Sequence, residues 1–209
     1  MSIILLWFGL AVALVYLPMT AGAPSWPRSA VKTVPLLVFT FTAWAAGGAP
    51  WLVAGLFFSA LGDFALSRKG EAAFLYGLAS FALAHIAYIL LFLVLSAAPL
   101  WAAFSLQPVL AVALLVHGVL AEIWLVPHVD RLRWPVRLYV VAITLMGLAV
   151  LTLPLGAVTL GALFFIASDT MLAVQLFRLG GDNPLTGPLG WGVWVFYVIG
   201  QALILAGTL

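Results

Sequence analysis

The chain has 209 residues, of which 66% are hydrophobic and only 7% are Asp, Glu, Lys or Arg, with a net charge of +2. Soluble domains carry about 25% charged residues because a folded chain needs a polar skin toward water, so this composition excludes one and requires a surface that faces lipid. The eight basic residues are scattered through short loops, which argues against nucleic-acid binding, and the lack of cysteine excludes disulfides, thiolate metal sites and thiol nucleophiles.

Apolar runs of the length that spans a bilayer as helix, roughly 17–25 residues, recur from end to end. Pro, Gly and charge divide them into eight expected spans: Ile3–Ala21, Lys32–Ala46, Pro50–Leu66, Ala72–Ser96, Leu106–Val126, Pro135–Leu153, Ala157–Phe177 and Leu189–Thr208. Strands of a membrane barrel would alternate apolar and polar residues, and these runs do not, so the expected fold class is an all-α polytopic helix bundle forming one integral membrane domain over residues 1–209. Ala21-Gly22-Ala23 resembles a signal-peptidase site, but residues 1–6 carry no Lys or Arg, and the first span is expected to be retained.

Every basic residue (Arg28, Lys32, Arg68, Lys69, Arg131, Arg133, Arg137 and Arg178) falls in or beside the first, third, fifth or seventh connection between spans. Lys and Arg are retained on the cytoplasmic side, so these connections should be cytoplasmic and both termini outside, with the plasma (inner) membrane of a bacterium as the expected location.

The third and seventh expected spans share a pattern. GLFFSALGDFAL (Gly55–Leu66) and GALFFIASDTML (Gly161–Leu172) each place Asp eight residues after Gly, a small residue before it and Leu three after it. They lie four spans apart and run the same way through the bilayer, as two parallel four-helix repeats require.

Asp63 and Asp169 are the residues that carry chemistry. A carboxylate inside a span costs about 2.5–3.5 kcal/mol on insertion scales, which makes it a functional candidate facing the bundle interior. Gly55, Ser59, Gly62 and Asp63 share one face and form a groove of small residues beside a carboxylate. Phe81, His85, Tyr88 and Phe92 recur at helical spacing and build an aromatic face with one imidazole. Ser59 and Ser168 stand by the two aspartates. Glu122 reads as an ion-pair residue beside the basic connection Arg131–Arg137. No metal is expected, because His85, His117 and His128 lie on different elements without ligand spacing, and no nucleophile elbow or phosphate loop occurs. Considered without partners, either aspartate should tolerate Asn, since an amide is cheaper to bury than an unpaired carboxylate.

These segments resemble the lysoplasmalogenases, the YhhN-like membrane proteins, over nearly the whole chain. The resemblance rests on Lys32 and Pro35 opening the second span, LFFSALGDFAL through Asp63, GLASFALAHIAYILLF through His85 and Tyr88, PVRLYVVAITLM through Tyr139, LFFIASDTMLA through Asp169, and Tyr197, Gln201, Leu203 and Ile204 in the last span. Glu122, His117 and His128 match no family position. The resemblance implies eight spans and hydrolysis of the vinyl ether bond of lysoplasmalogens to a fatty aldehyde and glycerophosphoethanolamine or glycerophosphocholine. It also implies no cofactor, and a lysophospholipid drawn from the bilayer as partner. On this reading Asp63, Asp169 and His85 are catalytic, and Lys32, Ser59, Tyr88, Tyr139, Ser168, Tyr197 and Gln201 bind substrate.

The chemistry suits two carboxyl groups. A vinyl ether hydrolyses by slow protonation of its β-carbon, leaving an oxocarbenium ion for water to attack; one carboxyl donates the proton and an ionised one stabilises the cation and activates water, a division of labour also used by glycosidases. At ~1.5 Å per residue Asp63 lies about 7 Å along the axis from Arg68 and Asp169 about 13 Å from Arg178, so the site should open in the cytoplasmic half, with Lys32 placed to meet a lipid phosphate. A proton-coupled transporter using the same aspartates is the competing function, and a non-catalytic scaffold a weaker one.

Overall fold

The computed structural model describes residues 2–179 and 183–209, and among these the regular structure is entirely helical. The middle of the expected connection between the last two spans, residues 180–182, lies outside them. The helices are α1 (Ser2–Tyr16), α2 (Trp26–Ala45), α3 (Pro50–Leu66), α4 (Glu71–Ser96), a four-residue turn α5 (Ala103–Leu106), α6 (Pro108–Leu120), α7 (Arg133–Val150), α8 (Ala157–Phe177) and α9 (Thr186–Thr208). α6 runs on through a π turn, Ala121–Leu125, and a short tight turn, Val126–His128. Among the described residues, five helices are long and apolar enough to cross a membrane: α4, α6 with its extension to His128, α7, α8 and α9. The stretches Ile3–Met19 and Pro50–Leu66 are shorter apolar helices. This composition is consistent with a multi-pass membrane protein.

The second helix differs most from expectation. It starts at Trp26, six residues before Lys32, because the Ser25 side chain caps it by accepting from the Arg28 backbone N–H at 3.3 Å and Pro27 fits the first turn, where its missing N–H is harmless. Pro35 therefore lies inside α2 and does not open it, and Lys32 sits in its second turn. The last helix likewise begins at Thr186, three residues early.

Two helix pairs pack most extensively, α3 with α4 and α8 with α9. In the first, the groove and the aromatic face fit each other. A methyl group on Gly55 would lie 2.6 Å from the Tyr88 ring, and one on Gly62 the same distance from the Phe81 ring. In the second, the backbones themselves touch: a methyl on Gly161 would meet the Gly200 carbonyl oxygen at 2.7 Å, and the converse distance is also 2.7 Å. Close approach through small residues substitutes for the hydrophobic driving force that lipid cannot supply. α7 packs on α4 and joins the two pairs.

The ends that carry the basic residues gather at one end of the bundle. Arg68 donates to Ser29 Oγ at 3.2 Å, joining the first and third connections. Phe74 meets Phe177 edge-on at 6.0 Å, and Arg178 bonds His128, which brings in the seventh and fifth. The far ends of α4 and α7 are tied by Thr152 donating to Ser96 at 2.8 Å.

Candidate active site at the junction of the helix pairs

Asp63, 1% exposed, and Asp169, 8% exposed, project into the interior, each meeting polar side chains from two other helices. Asp63 Oδ1 lies 3.4 Å from the Lys32 ammonium of α2, and its Oδ2 accepts from the Tyr197 hydroxyl of α9 at 2.7 Å. Asp169 Oδ2 accepts from the Tyr139 hydroxyl of α7 at 2.9 Å and lies 3.2 Å from Nε2 of His85 of α4. Lys32 is thus largely buried and ion-paired with Asp63.

The arrangement is crossed. Each aspartate takes one partner from the helix before its own (α2 for α3, α7 for α8) and one from the last helix of the opposite half of the chain (α9 for Asp63, α4 for Asp169). The rings of Phe81, Phe165, Tyr197 and His85 fill the space between the clusters. Phe165 stacks on His85 at 4.7 Å between centroids and lies 5.6 Å from Tyr197, while Phe81 meets Phe165 and Tyr197 edge-on. Phe165 was not among the candidates; its signal was the Phe pair preceding each Asp.

A second polar string runs beside them. The Tyr88 hydroxyl donates to Gln201 Oε1, and the Gln201 amide donates to Ser59 Oγ at 3.1 Å; all three side chains are buried. Ser168 instead donates to the backbone carbonyl of Val193 at 2.9 Å, locking α8 to α9. All ten candidates therefore face the α2, α3, α4, α7, α8 and α9 interior, nine of them in the polar networks and Ser168 in a helix–helix tie.

Glu122 and His117 lie elsewhere. Arg137 donates from Nε to both Glu122 oxygens at 2.9 and 3.0 Å in an exposed ion pair, and His117 Nε2 meets Thr170 Oγ1 at 2.9 Å.

Two cavities adjoin the site. One, about 520 Å³, is almost wholly apolar, with Asp169, Tyr139 and the His117–Thr170 pair as its polar features. The other, about 350 Å³, is lined by Arg28, Lys32 and Arg68 together with Thr20 and Gln175. Leu66, Phe74, Leu172 and Leu176 line both and form the partition between them. Arg28 and Arg68 escaped the sequence reading because a loop cation beside a membrane needs no partner to explain it.

The chain matches the YhhN family over residues 27–208, a stretch that includes every candidate residue. It is 37% identical over 164 residues to a protein named lysoplasmalogenase from Mycobacterium tuberculosis (strain CDC 1551 / Oshkosh), covering 75% of this chain and 59% of that relative. It is also 37% identical over 166 residues to one named lysoplasmalogenase TMEM86B from Sus scrofa, covering 74% of this chain and 65% of the relative. The alignments thus span about six tenths of the relatives' length. No solved structure gives a significant match. A family match over residues 27–208, most of the length, places the chain in the YhhN family.

Proposed function

We propose that this protein hydrolyses the vinyl ether bond of lysoplasmalogens, with Asp169 and His85 as the proton-donating pair and Asp63 as the ionised carboxylate. The observation that carries the reading is the contrast between the donors on the two aspartates. Asp63 faces an ammonium and a phenol, both of which stabilise a carboxylate. Asp169 faces His85, whose Nδ1 lies 2.6 Å from the Phe81 carbonyl oxygen. A carbonyl only accepts, so Nδ1 carries the ring proton. Nε2 of a neutral ring and an ionised Asp169 would then set two lone pairs against each other at 3.2 Å, an arrangement relieved by one proton held between them.

That proton goes to the β-carbon of the vinyl ether, and the electron pair of the double bond forms the new C–H bond. The resulting oxocarbenium ion is stabilised by the negative charge of Asp63, which sits behind Lys32. Water adds to the α-carbon, its proton returns to the Asp169–His85 pair, and the hemiacetal collapses to aldehyde and alcohol. Lys32, Arg28 and Arg68 supply positive charge for the lipid phosphate, while Tyr139 and Tyr197 fix the aspartates. Tyr88, Gln201 and Ser59 are assigned to the layer behind the substrate site, where they tie α3, α4 and α9 together, and Ser168 to its alignment.

The names carried by the relatives support this reading and lend nothing to the transporter alternative. The crossed partners of the aspartates support two parallel four-helix repeats. With α1, α2 and α3 counted beside the five longer apolar helices, the chain forms one membrane domain of eight spans, its basic end in the cytoplasm and its location the inner membrane of a bacterium. Incubating purified protein with a lysoplasmalogen and with its ester analogue tests the activity: free aldehyde should appear from the vinyl ether alone.

A further inference from the structure

The second half of the bundle departs from the first at α6. α1 packs along α2 over much of its length, whereas α6 meets α7 far more sparsely and touches α8 chiefly through the π turn Ala121–Leu125. The 520 Å³ apolar cavity fills the resulting gap between α4, α6, α7 and α8. Its inner wall is buried, with Phe81, Val136 and Ile143 each no more than 6% exposed. Its outer side is open: Leu120, Ile123, Trp124 and Leu176 line the cavity and are 47–66% exposed.

We propose that this cavity binds the hydrocarbon chain of a single-chain lipid, and that the chain enters sideways from the bilayer between α6 and α8, past the π turn. The size suits a single chain: the cavity holds about 520 Å³, on the order of 17 groups at the ~30 Å³ that one water-sized group occupies in a liquid. The polar features sit where such a lipid needs them. Asp169 and Tyr139 mark one end, and across the Leu66–Phe74–Leu172–Leu176 partition lies the cavity holding Arg28, Lys32 and Arg68, so an apolar site for one chain abuts a cationic site for one anionic head group. There is room for a single chain beside the partition.

The π turn is the movable part. A π turn replaces regular helix hydrogen bonding with a looser register, and such turns concentrate at functional sites. Two polar ties hold this segment against α8. His117 bonds Thr170 near the middle, and at the end Arg178 bonds His128 and lies over the Trp124 ring, 4.5 Å from its centroid. The outer tie holds Trp124 and Ile123 at the mouth of the cavity beside Leu176, so it sets the width of the side entrance.

The proposal rests on the hydrolase reading for the lipid's identity, but its test does not need turnover. The chain has no cysteine, so a single Ala173→Cys on the cavity wall can be labelled with a membrane-permeant maleimide. Saturating hexadecyl lysophosphocholine, a saturated ether that cannot be cleaved by this chemistry, should slow labelling at least five-fold, and a two-chain dialkyl phosphocholine should not. Val140→Cys, also on the wall, gives the same reading should Ala173→Cys fail to fold. Separately, Trp124→Cys with Arg178→Cys, bridged by a short bis-methanethiosulfonate, should take up the hexadecyl lipid at least ten-fold more slowly by native mass spectrometry, with dithiothreitol restoring the rate. Equal labelling with and without the lysolipid overturns the chain site, and uptake unchanged by the bridge overturns the side entrance. Aldehyde release without protection would leave the hydrolase standing and the cavity wrong; protection without aldehyde release would do the reverse.

Discussion

Asp63 and Asp169 carry the same side chain in matching sequence contexts, yet their partners make them unequal. Lys32 is 16% and Asp63 2% exposed at the side chain, so each depends on the other for charge balance in a medium that solvates neither. Asp63→Asn strands the ammonium and weakens the Tyr197 bond. Removing one partner of a buried pair costs about 3–5 kcal/mol, which outweighs the cheaper burial of an amide. The tolerance expected for Asn from sequence alone therefore reverses at this position: thermal unfolding in detergent should show Asp63→Asn clearly destabilised and Asp63→Asn with Lys32→Gln partly recovered, the non-additivity that marks a coupled pair. Asp169→Asn, whose imidazole partner can stay neutral, should unfold within about 1 kcal/mol of wild type while losing turnover. Equal destabilisation of the two single variants would contradict the assignment of unlike roles.

The helix pairs explain why these side chains meet. Gly55 and Gly62 let the aromatic face of α4 sink onto α3, which carries His85 and Tyr88 inward, and the contact of Gly161 with Gly200 brings Asp169 and Tyr197 onto adjoining backbones. An added methyl at Gly161 or Gly200 would press on a backbone oxygen that no rotamer change can move. Overpacking of this kind costs about 1–3 kcal/mol. Gly161→Ala and Gly200→Ala should each lower the unfolding temperature and the specific activity together, whereas Gly187→Ala, with open space around it, should change neither. Much of this level was legible in the sequence: the aromatic spacing of α4 and the small-residue groove of α3 were separate motifs that the structure shows to be two sides of one contact. The early start of α2 was less so, because Pro35 reads as a boundary when taken alone, and only the Ser25 cap and Pro27 in the first turn show that the helix begins before it.

At the scale of the whole molecule, one-sided charge becomes one-sided architecture. The connections that carry basic residues are in mutual contact, and the cavity holding Arg28, Lys32 and Arg68 lies among them. On the proposed orientation, with this end in the cytoplasm, the site is reached from the cytoplasmic leaflet. In sealed inside-out vesicles an impermeant maleimide should label Lys69→Cys and leave Ala98→Cys unlabelled until detergent is added; the opposite pattern would move the site's opening to the other leaflet. The sequence supplied the aspartates, the imidazole and the charge bias. It could not supply the pairing, because Asp63 and Tyr197 are 134 residues apart and no local spacing encodes which helix of one half faces which helix of the other. The crossed partnership is a property of the bundle.

The most direct test is aldehyde release from a lysoplasmalogen and from its ester analogue by purified wild-type, Asp63→Asn and Asp169→Asn proteins, each first shown to be folded. Wild type should release aldehyde from the vinyl ether alone, and both variants should fall by at least about 100-fold, at the lower end of what an acid–base group contributes. Near-normal aldehyde release by a folded Asp169→Asn protein, or no release by wild type, would contradict an aspartate-driven vinyl ether hydrolase.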